Sequence, residues 1–169
     1  MKTAALLAIF TAVSAVCAYA QRSSKPAFAQ YRTQVERPRI KEIDFKKNPA
    51  ARSFRTRLSE GVRGGVNFAG HYTVVGWGCG TGCISGAIVD LDRGKVLWPE
   101  QLNGIGVWYF GDSYADEPVA YRKNSRLLVI TGSPGVLRDA PEKPSGVYYY
   151  EWKNDRLQLV RFEKKDTGK

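Results

Sequence analysis

From Gly65 to the C-terminus the chain is cut into short β-rich runs by turn residues, and this punctuation restricts the fold more than any other feature. Such a pattern specifies antiparallel strands joined by tight connections. His71–Trp77 (HYTVVGW) predicts one strand and Ile84–Leu91 a second, with a glycine-rich connection from Gly78 to Gly82 between them. In the second run Ile84, Gly86 and Ile88 fall on one face and Ala87, Val89 and Leu91 on the other. Asp92-Arg93-Gly94 forms a hairpin turn into Lys95–Trp98, which Pro99 stops. Leu102–Gly111 holds a further strand after a loop. Arg126–Thr131 (RLLVIT) reads as a buried strand ended by Gly132-Ser133-Pro134-Gly135, and Ser133 to Ser145 as a long loop. Val147–Trp152 and Leu157–Phe162 pair as a hairpin across Lys153-Asn154-Asp155-Arg156.

Before this body, Asn48-Pro49 opens a helix, with Asn48 as its cap and Pro49 in the first helical position. Ala50, Phe54 and Leu58 follow at i, i+4 and i+8 as one apolar stripe to pack on a sheet, and Gly61 is the expected stop. The expected fold is therefore mainly β: a single antiparallel sheet, sandwich or small barrel of six to eight strands, with one N-terminal helix at about residues 49–60. With 169 residues and 43% hydrophobic content, the chain is long enough for one cored domain and too apolar for full disorder.

The first segment reads as an address. Lys2 precedes an uncharged apolar run over residues 4–18, and Ala18-Tyr19-Ala20 places small residues at both positions a signal peptidase reads. A secretory signal peptide over 1–20, cleaved after Ala20, is the expectation, with Cys17 leaving in it. Beyond it no apolar stretch is long enough to span a membrane. Localisation is then periplasmic or extracellular. The chain from Gln21 would carry two cysteines, Cys79 and Cys83, which export should oxidise to a disulfide.

Charge is concentrated. Residues 21–63 hold 12 Lys/Arg against 4 Asp/Glu, whereas residues 64–169 hold 13 against 12. Residues 21–47 read as a basic arm, its first part a tail to about Gln34 and its second, Val35 to Phe45, able to hold one short strand; residues 48–169 read as a single globular β-rich domain. Outside the cytoplasm such an arm suits anionic lipid headgroups, lipopolysaccharide or cell-wall polyanions, with Arg52, Arg55 and Arg57 lying off the apolar stripe of the helix as further cations. Nucleic acid is disfavoured, because no helix-turn-helix, zinc finger or RNP-like string is present.

The densest unusual stretch is Asn67–Cys83, NFAGHYTVVGWGCGTGC. Glycines interleaved with Cys79 and Cys83 let two Cβ atoms come within bridging distance, and a disulfide pinning a hairpin tip is the first expectation. The spacing is not C-x-x-C, and no thioredoxin-like βαβ pattern surrounds it. His71 is the only imidazole, so any histidine acid–base chemistry must use it. Were Cys79 free and close to His71, the two would make a Cys–His nucleophile. A triad of Ser85 or Ser133 with His71 and Asp90 can be drawn, without a G-x-S-x-G string to support it. His71, Cys79, Cys83 and Asp90 are the candidate metal ligands, but oxidised cysteines cannot serve. No metal and no cofactor is expected.

Aromatic residues are plentiful. Tyr148, Tyr150 and Trp152 share one face of their strand and Tyr149 and Glu151 the other, so one face is core and the other is free to offer rings to a sugar or a protein. Trp77, Trp108, Tyr109, Tyr148 and Tyr149 are the candidate aromatic binding residues.

Two resemblances bear on this. Ser145-Gly146-Val147-Tyr148-Tyr149 is similar to the S-G-x-x-Y string of periplasmic lysozyme inhibitors, which implies inhibition of a cell-wall hydrolase, although lysozymes are cationic and this chain is too. NFAGHYTVVGWGCGTGC followed by GAIVDLDRGKV, within roughly residues 50–100, resembles a group of small exported bacterial proteins of uncharacterised function. That resemblance implies export from a bacterium and carries over no functional residue. The balance leans to a non-enzymatic envelope protein that binds a protein or an anionic component, against a small exported enzyme working through His71, Cys79 and Cys83.

Overall fold

A computed structural model of the chain describes residues 25 to 165 except 108, 111–112, 115–116 and 138–142. The expected signal peptide, Cys17 and Trp108 lie outside the described residues. Ten strands follow in order: β1 Tyr72–Gly80, β2 Cys83–Asp90, β3 Val96–Leu97, β4 Ile105–Gly106, β5 Tyr109–Phe110, β6 Ser113–Tyr114, β7 Val119–Tyr121, β8 Leu127–Pro134, β9 Gly146–Lys153 and β10 Arg156–Lys164. Eight of them make one open antiparallel sheet in the order β1-β2-β4-β8-β9-β10, with β3 beside β2 and β7 beside β8; β5 and β6 pair separately. The single-sheet form of the expected fold is the one realised.

The alternation of β2 explains its central place. Ile88 faces a core shared with Val74, Ile105, Leu128, Ile130, Tyr148, Tyr150 and Trp152, so the β1–β2 half of the sheet folds over the β8–β10 half. Ala87, Val89 and Leu91 face a second core with Ile43, Ala51, Leu58 and Val62. Each fully buried aliphatic side chain contributes roughly 1.5–3 kcal/mol. β8 does not stop at Gly132 as expected. It bends there, at φ 141, and passes from β7, beside Leu128–Ile130, to β4, beside Ser133 and Pro134. A side chain at Gly132 would strike the Gly106 carbonyl, so glycine is what lets the strand change partners.

The helix differs from the expectation in its start, its stripe and its stop. Pro49–Phe54 is a 3-10 turn and only Arg55–Gly64, α1, is α-helical. Asn48 caps nothing. Its Oδ1 accepts from the Val96 N–H at 3.0 Å and its Nδ2 donates to the Gly94 and Asp44 carbonyls, so the amide that would cap the helix staples it to β3 instead. Ala51, Leu58 and Val62 are buried while Ala50 is exposed. Gly61 lies against the Val75 side chain, and the helix ends at Gly64 with Gly65 at φ 77.

The basic arm is a strap rather than a tail, and between Val35 and Phe45 it holds no strand. Its backbone bonds to the body at intervals: the Arg126 N–H donates to the Tyr31 carbonyl (2.8 Å), Thr33 to Asn124 (3.0 Å), Glu36 to Gly70 (2.9 Å), and Arg39 and Ile40 both to Leu91 (2.9 and 3.0 Å). Polar side chains do not prevent this attachment, because the main chain makes much of it, and body side chains add to it: Ser125 Oγ donates to the Phe28 carbonyl and Arg126 to the Arg32 carbonyl, each at 2.9 Å.

Candidate functional site

The end of β1 reads GWGCG. Gly76, Gly78 and Gly80 leave one face of the strand bare, and the side chains of Trp77 and Cys79 are all it carries. Cys79 and Cys83 are joined as a disulfide across the two-residue turn Thr81-Gly82, with Cα atoms 5.1 Å apart. A bulge between Gly78 and Gly80 accommodates Cys79.

Trp77 belongs to the face that α1 covers, but the helix reaches only as far as Val75, Ala87 and Val89. Beyond its first residues the face stays open. Phe54 leans over this end and stacks on Trp77, ring centroids 4.4 Å apart and planes at 26°. Trp98, next after β3, closes the corner at 6.1 Å from Trp77 and 5.5 Å from Phe54. Trp98 is 41% exposed. The three rings line a groove of about 600 Å³ together with Cys79, Glu100, Asn103 and Leu137.

A second groove, about 650 Å³, lies on the other side of the same 3-10-to-α junction. Lys41, Lys46, Arg52, Arg55 and Arg63 line it, with Glu42 and Asp44 as its acids. Two of the cations are held in place: Arg52 Nε donates to the Phe45 carbonyl at 3.3 Å, and the Arg55 guanidinium sits 5.0 Å over the Phe45 ring. Arg57 points elsewhere, 3.8 Å from Glu60.

His71 sits at the far end of β1. In the β1–β2 register Tyr72 opposes Asp90, whereas Gly80 opposes Cys83 at the other end. Eight extended residues separate His71 from Cys79 by roughly 25 Å. The strand between them therefore prevents the Cys–His pairing drawn from the sequence, and it separates the cysteines from His71 and Asp90 as metal ligands. His71 and Asp90 are brought together, Nε2 to Oδ1 4.0 Å, and Nδ1 lies 3.6 Å from Glu36 of the strap. The serines of the drawn triad are elsewhere: Ser85 Oγ accepts the Gly104 N–H and Ser133 Oγ lies 3.0 Å from Ser145 Oγ. Asp90 is fully buried, and its Oδ1 accepts the Asp92 and Arg93 N–H groups at 2.8 and 3.0 Å. That is the chemistry of an Asx turn, and it shapes the β2–β3 hairpin.

Tyr148 and Tyr149 are 4% and 8% exposed, so neither offers a ring to a ligand. β9 lies inside the sheet between β8 and β10, with Tyr148, Tyr150 and Trp152 in the core on one face and, on the other, Tyr149 buried, Val147 and Glu151 half-buried and Lys153 exposed. The same burial takes the S-G-x-x-Y string into a ladder, with Gly146 to Tyr149 paired on both sides. Tyr109 is on β5. Trp98 and Phe54, which complete the aromatic groove, were not among the aromatic binding candidates; the one signal for them is the unpartnered Trp at the end of a run that Pro99 stops. The chain matches no protein-family model, no curated protein and no solved structure.

Proposed function

We propose that the chain is an exported, non-enzymatic binding protein of the bacterial envelope whose ligand is a polyanion. The observation that carries this reading is the groove lined by Lys41, Lys46, Arg52, Arg55 and Arg63. Residues 21–63 concentrate the cations of the chain, and the strap and helix draw five of them around one concavity, where their fields add. The leader-like N-terminus and the Cys79–Cys83 disulfide support delivery to an oxidising space.

The test measures binding to phosphatidylglycerol vesicles, to phosphatidylcholine vesicles and to soluble dextran sulfate over a salt series. Binding to an anionic probe that falls steeply as salt rises is expected, and an Arg52→Gln/Arg55→Gln double variant should weaken it. The two anionic arms separate a lipid headgroup from a soluble polymer. Absence of binding to either at low salt, or binding indifferent to salt, would overturn the reading.

A further inference from the structure

We propose that the groove walled by Phe54, Trp77 and Trp98 is a subsite for a sugar ring of an acidic polysaccharide, whose charged groups continue onto Arg52 and Arg55. The acidic part of this inference rests on the polyanion reading; the ring subsite stands on separate geometry.

A pyranose ring presents an apolar C–H face and a rim of hydroxyls. The groove has the matching halves. Trp77 and Trp98 meet edge to face at 69°, giving a corner rather than a flat patch, and Phe54 stacks on Trp77. Glu100, which also pairs with Lys143 at 3.8 Å, and Asn103 line the groove beside the rings, and their side chains are of the kinds that accept from and donate to hydroxyls. An acyl chain would find no use for these two polar groups at the groove wall. The bare glycine face of β1 and the disulfide keep the Trp77-bearing ribbon thin and fixed, so the indole is presented without a loop having to order.

Charge selects among sugars. Phe54 lies in this groove, and its neighbours Arg52 and Arg55 line the basic one, so one turn of chain separates ring stacking from cation binding. A polymer with a carboxylate on each sugar satisfies both grooves at once; a neutral one satisfies only the first.

The probes are an oligogalacturonate and an uncharged chitin oligosaccharide, followed by tryptophan fluorescence and calorimetry on the full chain. The oligogalacturonate should perturb tryptophan emission and bind. Trp98→Ala should weaken that binding about tenfold, and Trp98→Tyr should restore most of it, with melting temperature held because Trp98 is 41% exposed. Arg52→Gln/Arg55→Gln should weaken the acidic oligomer and leave any response to the uncharged one. Oligogalacturonate binding that ignores Trp98 overturns the ring subsite while the polyanion reading stands. No response to either saccharide, or Trp98-dependent binding of phosphatidylglycerol vesicles alone, also overturns it. A Trp98-dependent response to the chitin oligosaccharide alone keeps the ring subsite, and the failure is then that of the polyanion reading.

Discussion

Asn67 pairs both backbone hydrogen-bonding groups of Val74: its Oδ1 accepts the Val74 N–H at 2.7 Å and its Nδ2 donates to the Val74 carbonyl at 3.0 Å. The side chain thus does for the outer edge of β1 what a neighbouring strand would do. Edge groups left open invite pairing with another chain, and this amide closes one position of that edge. Asn67→Ala should cost roughly 1–3 kcal/mol in urea denaturation, because the Val74 groups sit at a largely buried residue. Asn67→Asp should not rescue it, since a carboxylate would then face the Val74 carbonyl. An alanine variant as stable as the parent would show that water replaces the amide at no cost.

The disulfide should behave as a structural staple. Closing a five-residue loop is worth about 2 kcal/mol in the chain-entropy model. With Cys17 replaced by alanine, thiol titration of the denatured protein should find no free thiol before reduction and two after it. Cys79→Ser/Cys83→Ser should melt earlier by an amount close to the effect of adding reductant to the parent. A reactive thiolate in the unreduced protein would return the cysteines to consideration as working groups.

How much of this was legible in the sequence depends on whether a residue's partner is near in the chain. Ile88 against Ala87 and Val89 could be assigned to opposite faces, because period-two alternation is a local property. The β9–β10 turn was also local: Asn154 and Asp155 take φ 53 and 56, as a two-residue hairpin loop requires, and Asn and Asp tolerate this. Asn48 misled because an N-cap and a strand-stapling amide look identical until Val96 is known to be beside it. Tyr149 was illegible for a similar reason: the alternation that sets it opposite Tyr148 and Tyr150 does not say whether that face is covered, and the ring is 8% exposed. The aromatic groove was out of reach because Phe54, Trp77 and Trp98 are far apart in sequence and meet only when the helix stops short of the end of the sheet. The strap was hidden because much of its attachment is made by main-chain groups, which every residue has.

Alkaline pH should loosen the end of the sheet that holds His71. Burial pushes the Tyr72 phenol up from 10 to about 12, and the hydrogen bond it donates to Asp155 at 3.0 Å acts in the same direction. Burial raises Tyr150 as well. The folded state keeps the neutral phenol, so this stabilisation is complete below pH 10 and is lost as pH rises from 10 through about 12. Tyr72→Phe should lose about 1 kcal/mol at neutral pH with its hydrogen bond, and then fall off less steeply than the parent across that window. Denaturant midpoints measured alongside tyrosinate absorbance would show this; equal alkaline slopes in both proteins would contradict it.

Two glycines with left-handed or extended-positive backbones should respond unequally to substitution. Gly80, at φ 140 on the hairpin tip, has no atom within 4 Å of where a Cβ would stand. Gly80→Val should therefore cost only backbone strain, about 1–3 kcal/mol, and lower the melting temperature accordingly. At Gly70, φ 89, a Cβ would stand 2.5 Å from the Gln34 carbonyl oxygen, and the residue also accepts the Glu36 N–H on its own carbonyl. Gly70→Ala adds a clash with main chain to the strain, and the strap has to lift for the variant to fold. It should destabilise more than Gly80→Val despite its smaller side chain, and trypsin should cut after Arg39 faster in the folded variant than in the parent. Equal losses at the two positions, with unchanged cleavage, would mean that the strap is not seated on the Ala69-Gly70 turn.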